Sequence, residues 1–546
     1  SSSGSREPRH KFVPIAATLS CSMGVCASQQ QQSVPAHCAL KLQSATGAPD
    51  LIRRAQFILK KSGEVQEHYR IDPEPLGKGT FGVVHRGVHA ATGAVRAIKI
   101  IARSNVSDVH QFRQEIAIMK TLDHPHIIRL YETFEDSSTV YLAMEMCRGG
   151  ELFDHVIASG HLTERQASVA VQHMVRAVAY MHEKDIAHRD LKPENFLLAT
   201  TDTIENNVLK LIDFGTACRA GPKTIMTTMV GTRFYIAPQV LLKRYDRKCD
   251  MWSVGAVMYT LLSGRPPFGG RTEREVLQKV RIGKYDLMGP EWHNISEDAK
   301  DLVRMLMNMI PRARYSARQA LKHLWVQQTA PRACSAPLKA GVVENLRSFH
   351  AENRLKKAAL QIIASQLSDA QLGRLREAFT CLDKNGDGVL SVEELTGALE
   401  QDGLQDFKAD LERMVRGIDV DGSGAIDYTE FLAASLSGRE ECSEAVWRQA
   451  LQSAFSVFDL DGDGRISEEE LTIVLDNGFR RKASMDLLHS LDSDGDGSID
   501  FEEFLVMMRG AASSSTRIQT PKYSAAQSKE QCLTGEFLEK LARSGG

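Results

Sequence analysis

Short apolar runs separated by turn residues dominate the stretch from Tyr69 to Glu145. The segment VHRGVHAATGAVRAIKII reads as strand, Thr92-Gly93 turn, strand. Residues 127–145 add two more strands, and a helical period from about Asp108 to Thr121 lies between the two groups. Beyond Cys147 the spacing is mainly helical as far as His323-Leu-Trp325, with one further short strand at Val208–Ile212. A second helical pattern covers Leu338–Leu367. Wound at about 3.6 residues per turn, Leu338, Val342, Leu346, Phe349, Leu360, Ile363 and Leu367 share one stripe, which Asn353 and Lys356 interrupt. The stretch is basic through Lys339, Arg347, Arg354, Lys356 and Lys357, and suits a membrane surface, the groove of a calmodulin-like protein, or a neighbouring surface. After it, a twelve-residue pattern recurs four times. The periods divide the chain into an aperiodic extension (1–50), a lead-in (51–69), a strand-then-helix domain (70–326), a junction (327–371), a repeat domain (372–508) and a Ser/Ala-rich tail (509–546) with a short helical pattern near Glu536–Leu541.

Composition narrows the class without deciding it. The 546 residues suffice for roughly three or four domains. A net charge of -2 favours neither nucleic acid nor an acidic membrane. The ten cysteines show no C-x-x-C pair and no zinc spacing, which predicts reduced thiols and a cytoplasmic setting. No apolar run approaches the ~20 residues that span a bilayer. One motif modifies this picture. Met23-Gly24-Val25-Cys26-Ala27-Ser28 fits the N-myristoylation pattern if translation starts at Met23, with Gly24 acylated and Cys26 offering a second acyl site, so peripheral membrane attachment rests on those two residues.

Gly77, Gly79 and Gly82 follow the first strand, where glycines let a hairpin backbone close over phosphates. The pattern is weak alone, since a dinucleotide fingerprint also contains it. A dinucleotide fold would continue into a helix; here strand follows, carrying Val84 and ending Ala97-Ile98-Lys99. Glu115 lies on the next helical segment. Further on come His188-Arg189-Asp190-Leu191-Lys192-Pro193-Glu194-Asn195, Asp213-Phe214-Gly215 and Ala237-Pro238-Gln239. This series, in this order, resembles the protein kinases, and Lys192-Pro-Glu-Asn195 is of the Ser/Thr kinase form. The resemblance implies a two-lobed kinase fold binding ATP and Mg2+. It implies that Lys99, paired with Glu115, holds the α/β-phosphates and that Asp190 serves the attacking hydroxyl. Lys192 would steady the γ-phosphate, while Asn195 and Asp213 would ligate magnesium. Met144 takes the gatekeeper position and Glu145 to Cys147 the hinge; Glu151 would reach the ribose and a basic residue of the substrate. Gln239 departs from the family, which has Glu there paired with a buried Arg, matched here by Arg314. Thr224, Thr227 and Thr228 are candidate phosphosites that Arg189 would pair.

The four repeats are Asp383–Glu394, Asp419–Glu430, Asp459–Glu470 and Asp492–Glu503, with starts 36, 40 and 33 residues apart. Each follows the EF-hand rule, with oxygens at loop positions 1, 3, 5, 7 and 9, Gly at 6 and Glu at 12. The predicted calcium ligands are Asp383, Asn385, Asp387, Val389 (backbone), Ser391 and Glu394; Asp419, Asp421, Ser423, Ala425 (backbone), Asp427 and Glu430; Asp459, Asp461, Asp463, Arg465 (backbone), Ser467 and Glu470; and Asp492, Asp494, Asp496, Ser498 (backbone), Asp500 and Glu503. Up to four Ca2+ follow. Leu390, Ile426, Ile466 and Ile499 at position 8 should pair as short strands. Counting acids at positions 1, 3, 5, 9 and 12, the first loop has three and the fourth five, so the first is expected to bind most weakly.

Kinase motifs, basic junction and four hands on one chain resemble the calcium-dependent protein kinases of plants and protists. The implied fold class is α+β, a two-lobed kinase followed by an all-α calmodulin-like domain. The implied activity is calcium-activated phosphorylation of Ser/Thr in protein substrates, with a basic residue upstream of the target, by a monomer whose hands take the junction helix as their target. Arg332-Ala-Cys-Ser335 has the form of an autophosphorylation site. Two alternatives are a calcium-switched pseudokinase scaffold and a kinase with passive calcium buffers; Met414, Met485, Met507 and Met508 are available for the groove a sensor would open.

Overall fold

The computed structural model describes residues 58, 60–62, 65–78, 82–90, 92–106, 108–329, 342, 345–346, 348–349, 352–367, 369–401, 411–436, 444–475 and 481–509. The acylation motif at Gly24 and Cys26, Gly79, the Arg332–Ser335 tetrapeptide, Leu338 and the Glu536–Leu541 pattern lie outside these.

The alternating segments form one six-stranded sheet, in the order β1 (Lys60–Ser62), β5 (Leu130–Glu135), β6 (Thr139–Met144), β4 (Val95–Ala102), β3 (Val83–His89), β2 (Tyr69–Lys78). Five strands are antiparallel neighbours, and the Thr92-Gly93 turn joins β3 to β4, with Gly93 at φ 66. β1 is an addition that the sequence did not signal. This three-residue piece of the basic lead-in pairs parallel with β5, and Ile58 before it is 5% exposed. The lead-in therefore completes the strand-rich lobe.

The helix Val109–Thr121 packs on this sheet, with Asp108 capping its start through the Gln111 backbone N–H. The second lobe is built around Glu164–Glu183, opened by a Thr163/Gln166 capping box, and Cys249–Ser263, every residue of which is buried. A short antiparallel pair, Phe196–Leu198 with Leu209–Leu211, lies at the cleft between the lobes. The lobe ends with the helix Leu324–Thr329.

The junction is not one continuous helix. A helix runs Arg354–Gln366, and Asn353 is its N-cap, its side-chain oxygen accepting from the Lys356 backbone N–H at 2.8 Å. The interruption of the apolar stripe is thus a helix start, because an asparagine that can satisfy an orphan N–H favours beginning a helix over continuing one. Leu346, Phe349, Leu360, Ile363 and Leu367 are all buried, in the same apolar core as the helices of the calcium hands. Met414, Met507 and Met508 also belong to that core, while Met485 is exposed.

Candidate functional site

Strand register positions the nucleotide side of the cleft. Lys99 in β4 lies opposite Val84 in β3 and Leu142 in β6, and Ala97 lies opposite Met144. These residues share one wall. Lys99 Nζ is 3.6 Å from Glu115 Oε1. Burial pushes the Glu115 carboxyl up, and the Lys99 ammonium pulls against it. Gly82 cannot be replaced without moving β4, since a Cβ there would meet the Ile100 carbonyl at 2.0 Å.

The catalytic loop is held from beneath. Asp250, fully buried at the start of its helix, accepts the backbone N–H groups of His188 (3.0 Å) and Arg189 (2.8 Å), and also binds His182 (2.9 Å). This fixes Arg189 at φ 72, a conformation a non-glycine residue keeps only when the surroundings impose it. Asp190 follows directly. Its carboxylate accepts from Thr232 Oγ1 at 2.7 Å and from Lys192 Nζ at 3.1 Å, and its carbonyl accepts from Asn195 Nδ2 at 2.8 Å. The Asn195 amide oxygen stays available for a cation. The Ile212 N–H donates to the Asn195 carbonyl (2.9 Å), which brings Asp213 beside Asn195. Asp213 stands at φ 62, with Gly215 N–H on Oδ1 at 3.3 Å. One amide oxygen and one carboxylate next to a lysine–glutamate pair form a donor set suited to a nucleotide-bound divalent ion.

One placement refines the sequence reading, which used the hinge backbone, and one differs from it. The Glu145 side chain does not face the nucleotide. It turns behind the hinge, where Oε1 is 2.8 Å from Lys210 Nζ and Oε2 accepts the Arg129 N–H at 3.2 Å. Only the backbone of Glu145 can serve a base, and its N–H already donates to the Arg129 carbonyl at 2.9 Å. Arg189, expected to await a phosphate, donates Nε–H to the Thr216 carbonyl at 2.6 Å and lies 3.4 Å from the Tyr245 hydroxyl, which itself donates to the Thr228 carbonyl at 2.7 Å. Thr232 and Lys210 are neighbours of the site that the sequence did not single out. Gln239 does what its amide allows. Its oxygen accepts from Arg314 at 2.9 Å and its Nε2 donates to the Met309 carbonyl at 2.5 Å. At the cleft mouth, burial and the neighbouring Asp154 and Glu194 carboxylates push Glu151 up, and burial does the same to Glu194. Such a cluster gains from a cationic group brought by a substrate.

The calcium loops pair as their eighth positions predict, Leu390 opposite Ile426 and Ile466 opposite Ile499. Asp419, Asp421 and Glu430 bring one oxygen each to within 4.8 Å of one another, as do Asp459, Asp461 and Glu470, and Asp492, Asp494 and Glu503. These donor sets fit a hard divalent cation. Asn385 makes the ligand at position 3 of the first loop neutral. That loop is also set apart by its surroundings. Asp383, Asp387 and Glu394 are 1%, 9% and 9% exposed, because the loop lies against the kinase lobe. Burial pushes the Asp383 carboxyl up to about 6, although Arg176 lies beside it. In the other pair, the Arg465 side chain forms an ion pair with Asp496, tying the third loop to the fourth.

The hands and junction grip the kinase behind its hinge. Arg96 Nη2 donates to the carbonyl (3.0 Å) and side chain (2.7 Å) of Gln366, and Arg129 Nη1 donates to the Ala364 carbonyl at 3.3 Å. The Arg129 guanidinium lies 4.9 Å from the Tyr428 ring, and Asp123 accepts the Thr429 N–H at 2.8 Å.

Comparison with known proteins agrees with this architecture. The profile of the protein kinase domain matches residues 71–326, and that of the EF-hand domain pair matches residues 374–436 and 448–509. The chain is 40% identical over 430 residues to Calcium-dependent protein kinase 3 of Plasmodium berghei (strain Anka), covering 78% of this chain and 76% of that protein. It is 39% identical over 422 residues to Calcium-dependent protein kinase 5 of Plasmodium falciparum (isolate 3D7), covering 77% and 73%. It is 39% identical over 412 residues to Calcium-dependent protein kinase 34 of Arabidopsis thaliana, covering 75% and 77%. Kinase lobes with Lys99 and Glu115 paired, hands built for divalent cations and relatives of this kind identify the chain as a member of the calcium-dependent protein kinases, calcium-activated serine/threonine kinases.

Proposed function

We propose that Asp190 receives and orients the substrate hydroxyl, with Thr232 and Lys192 fixing its two carboxylate oxygens. Lys99, held by Glu115, meets the α/β-phosphates, and Lys192 meets the γ-phosphate. Asn195 and Asp213 hold magnesium. The metal neutralises phosphate charge when bound. Gly77, Gly79, Gly82, Val84, Ala97, Met144, Cys147 and the Glu145 backbone enclose the nucleotide. Glu151, with Glu194, selects a basic residue upstream of the target. The four loops hold four calcium ions.

Regulation runs through the junction of a single chain. At low calcium the junction withholds the active arrangement; calcium-opened hands take it as their target. The carrying observation is that Leu346, Phe349, Leu360 and Ile363 share the apolar core of the hand helices. Leu346 meets Leu395, Leu399, Met414 and Ile426 around one small apolar cavity. A ligand shifts an equilibrium only through unequal affinity for its states, and an opened apolar groove supplies that inequality. The test is Phe349→Glu with Leu360→Glu in the full chain, assayed for peptide phosphorylation across a calcium titration. Activity should no longer follow calcium; an unchanged calcium response refutes the junction's role. Acylation at Gly24 and Cys26 would add peripheral membrane attachment, which metabolic labelling with a myristate precursor on a chain begun at Met23 would test.

A further inference from the structure

Besides its neutral Asn385 and its burial, the first calcium loop differs from the other three in that another domain supplies cations to its ligands. Arg176, from the long helix of the second kinase lobe, places Nη1 3.5 Å from Asp383 Oδ2 and 3.4 Å from the Asp383 carbonyl. Arg318 places Nη2 3.2 Å from Asp387 Oδ2, and its Nε lies 3.0 Å from Glu183. The loop backbone is pressed onto the same surface. A Cβ on Gly388 would come 2.6 Å from the His124 ring, and one on Gly386 would come 2.4 Å from Leu321.

The loop is not distorted by this contact. In all four loops the first aspartate accepts the N–H of the sixth-position glycine on Oδ2, at 3.1, 2.9, 3.1 and 2.9 Å. The arginines lie on oxygens Oδ2 of Asp383 and Asp387, while Oδ1 of each accepts from the loop's own backbone, as the corresponding aspartates do in the third and fourth loops. They therefore need not displace an ion. They alter the field it meets. Three acidic ligands carry three negative charges, and two guanidiniums cancel two of them before any metal binds. Because the loop is buried, that cancellation is less screened than it would be in water.

We propose that Arg176 and Arg318 belong to the first calcium site as charge competitors: they compensate its carboxylates when the loop docks on the kinase, and so lower its affinity for calcium. The proposal rests on the reading of Asp383–Glu394 as a calcium loop. By linkage, whatever factor docking takes from calcium affinity, calcium takes from docking. The first hand then fills late and loosens its own contact with the kinase as it fills. Charge count within the loop would weaken it alone; the arginines add a weakening that exists only in the docked chain.

The test is calorimetric calcium titration of the full chain, with the site in question defined as the one that Glu394→Gln removes. Arg176→Gln with Arg318→Gln should tighten that site roughly tenfold, the scale of one or two nearby unit charges acting on a divalent ion. Arg318 is half exposed, so Arg318→Gln alone is structurally mild and should tighten it by about threefold. Arg176→Lys with Arg318→Lys keeps the charge and should stay close to wild type. Hydrogen exchange of residues 383–394 in chelator should be faster in the double Gln variant, because docking without the arginines leaves buried carboxylates uncompensated. An unchanged or weakened site in Arg318→Gln and in the double variant overturns the proposal. If Glu394→Gln removes no calcium site, the reading of the loop itself fails instead.

Discussion

Tyr428→Leu should loosen the hands from the kinase hinge by about 2 kcal/mol, the value of a desolvated cation–aromatic contact. The Arg129 guanidinium is 4.9 Å from the Tyr428 ring centroid, and the residues are 2% and 0% exposed, so water screens the pair very little. Leucine retains most of the apolar burial. The edge contact of Tyr428 with Phe379, at 5.1 Å, is also lost, at ~0.5–1.5 kcal/mol, but that loss falls on the hands themselves. Arg129→Met removes the same contact together with the 3.3 Å bond to the Ala364 carbonyl, a long bond worth about 1 kcal/mol, and also takes a neighbouring cation from the buried Asp123 carboxylate, a cost the cycle cancels because it is common to both Arg129→Met chains. The two changes share one interaction, so they should not add. A double-mutant cycle should give a coupling of about 1–2 kcal/mol. The assay is hydrogen-exchange protection of residues 123–131 in each of the four chains. Coupling below about 0.3 kcal/mol, the ordinary limit of additivity, would refute the view that this pair joins hinge to hands.

Three further outcomes follow from buried groups. Lys210→Met leaves the Glu145 carboxylate without its 2.8 Å partner behind the hinge, and should cost about 3–5 kcal/mol of unfolding free energy, much of it recovered by adding Glu145→Gln. Gln239→Ala removes a bond from the 1%-exposed Arg314 and should cost about 1–3 kcal/mol by urea unfolding, with Lys99, Asp190, Asn195 and Asp213 untouched. The rings of the buried His124 and His126 and the half-buried His173 form a chain, and desolvation lowers all three, His173 to about 3. The unfolded chain therefore binds protons that the folded chain does not, and stability should fall as pH drops from about 6.5 towards 3, by up to ~1.4 kcal/mol per pH unit for each histidine. His173→Gln should flatten that slope; an equal slope would contradict the assignment.

The parts of the site that were legible in the sequence are those whose chemistry demands a residue at a fixed place along the chain. Lys99 stands within β4, Asp190, Asn195 and Asp213 stand close to a strand end or turn, and backbone register then assembles them without help from distant sequence. The calcium loops were legible for the same reason, since twelve consecutive residues carry their own ligands and their own glycine turn. What the sequence concealed depends on which surface meets which. Arg176 and Arg318 sit at ordinary helix-surface spacing, and nothing local says that a calcium loop will cover them. The direction of the Glu145 side chain was likewise hidden, because strand alternation allows either face and only the buried Lys210 decides it. The broken junction helix lies between these cases. Asn353 was visible as a gap in the stripe, and its capping chemistry explains the break, but not the two apolar clusters ending up in one core with the hands.

Calcium reaches the Asp190 site through the hands of the same chain. The most direct measurement is phosphate transfer from ATP to a Ser/Thr peptide by the purified full chain in magnesium, with chelator and then with calcium, using Asp190→Asn as the control. Transfer is expected in calcium, with little in chelator and none from Asp190→Asn in either. Equal transfer with and without calcium, or transfer undiminished in Asp190→Asn, would contradict it.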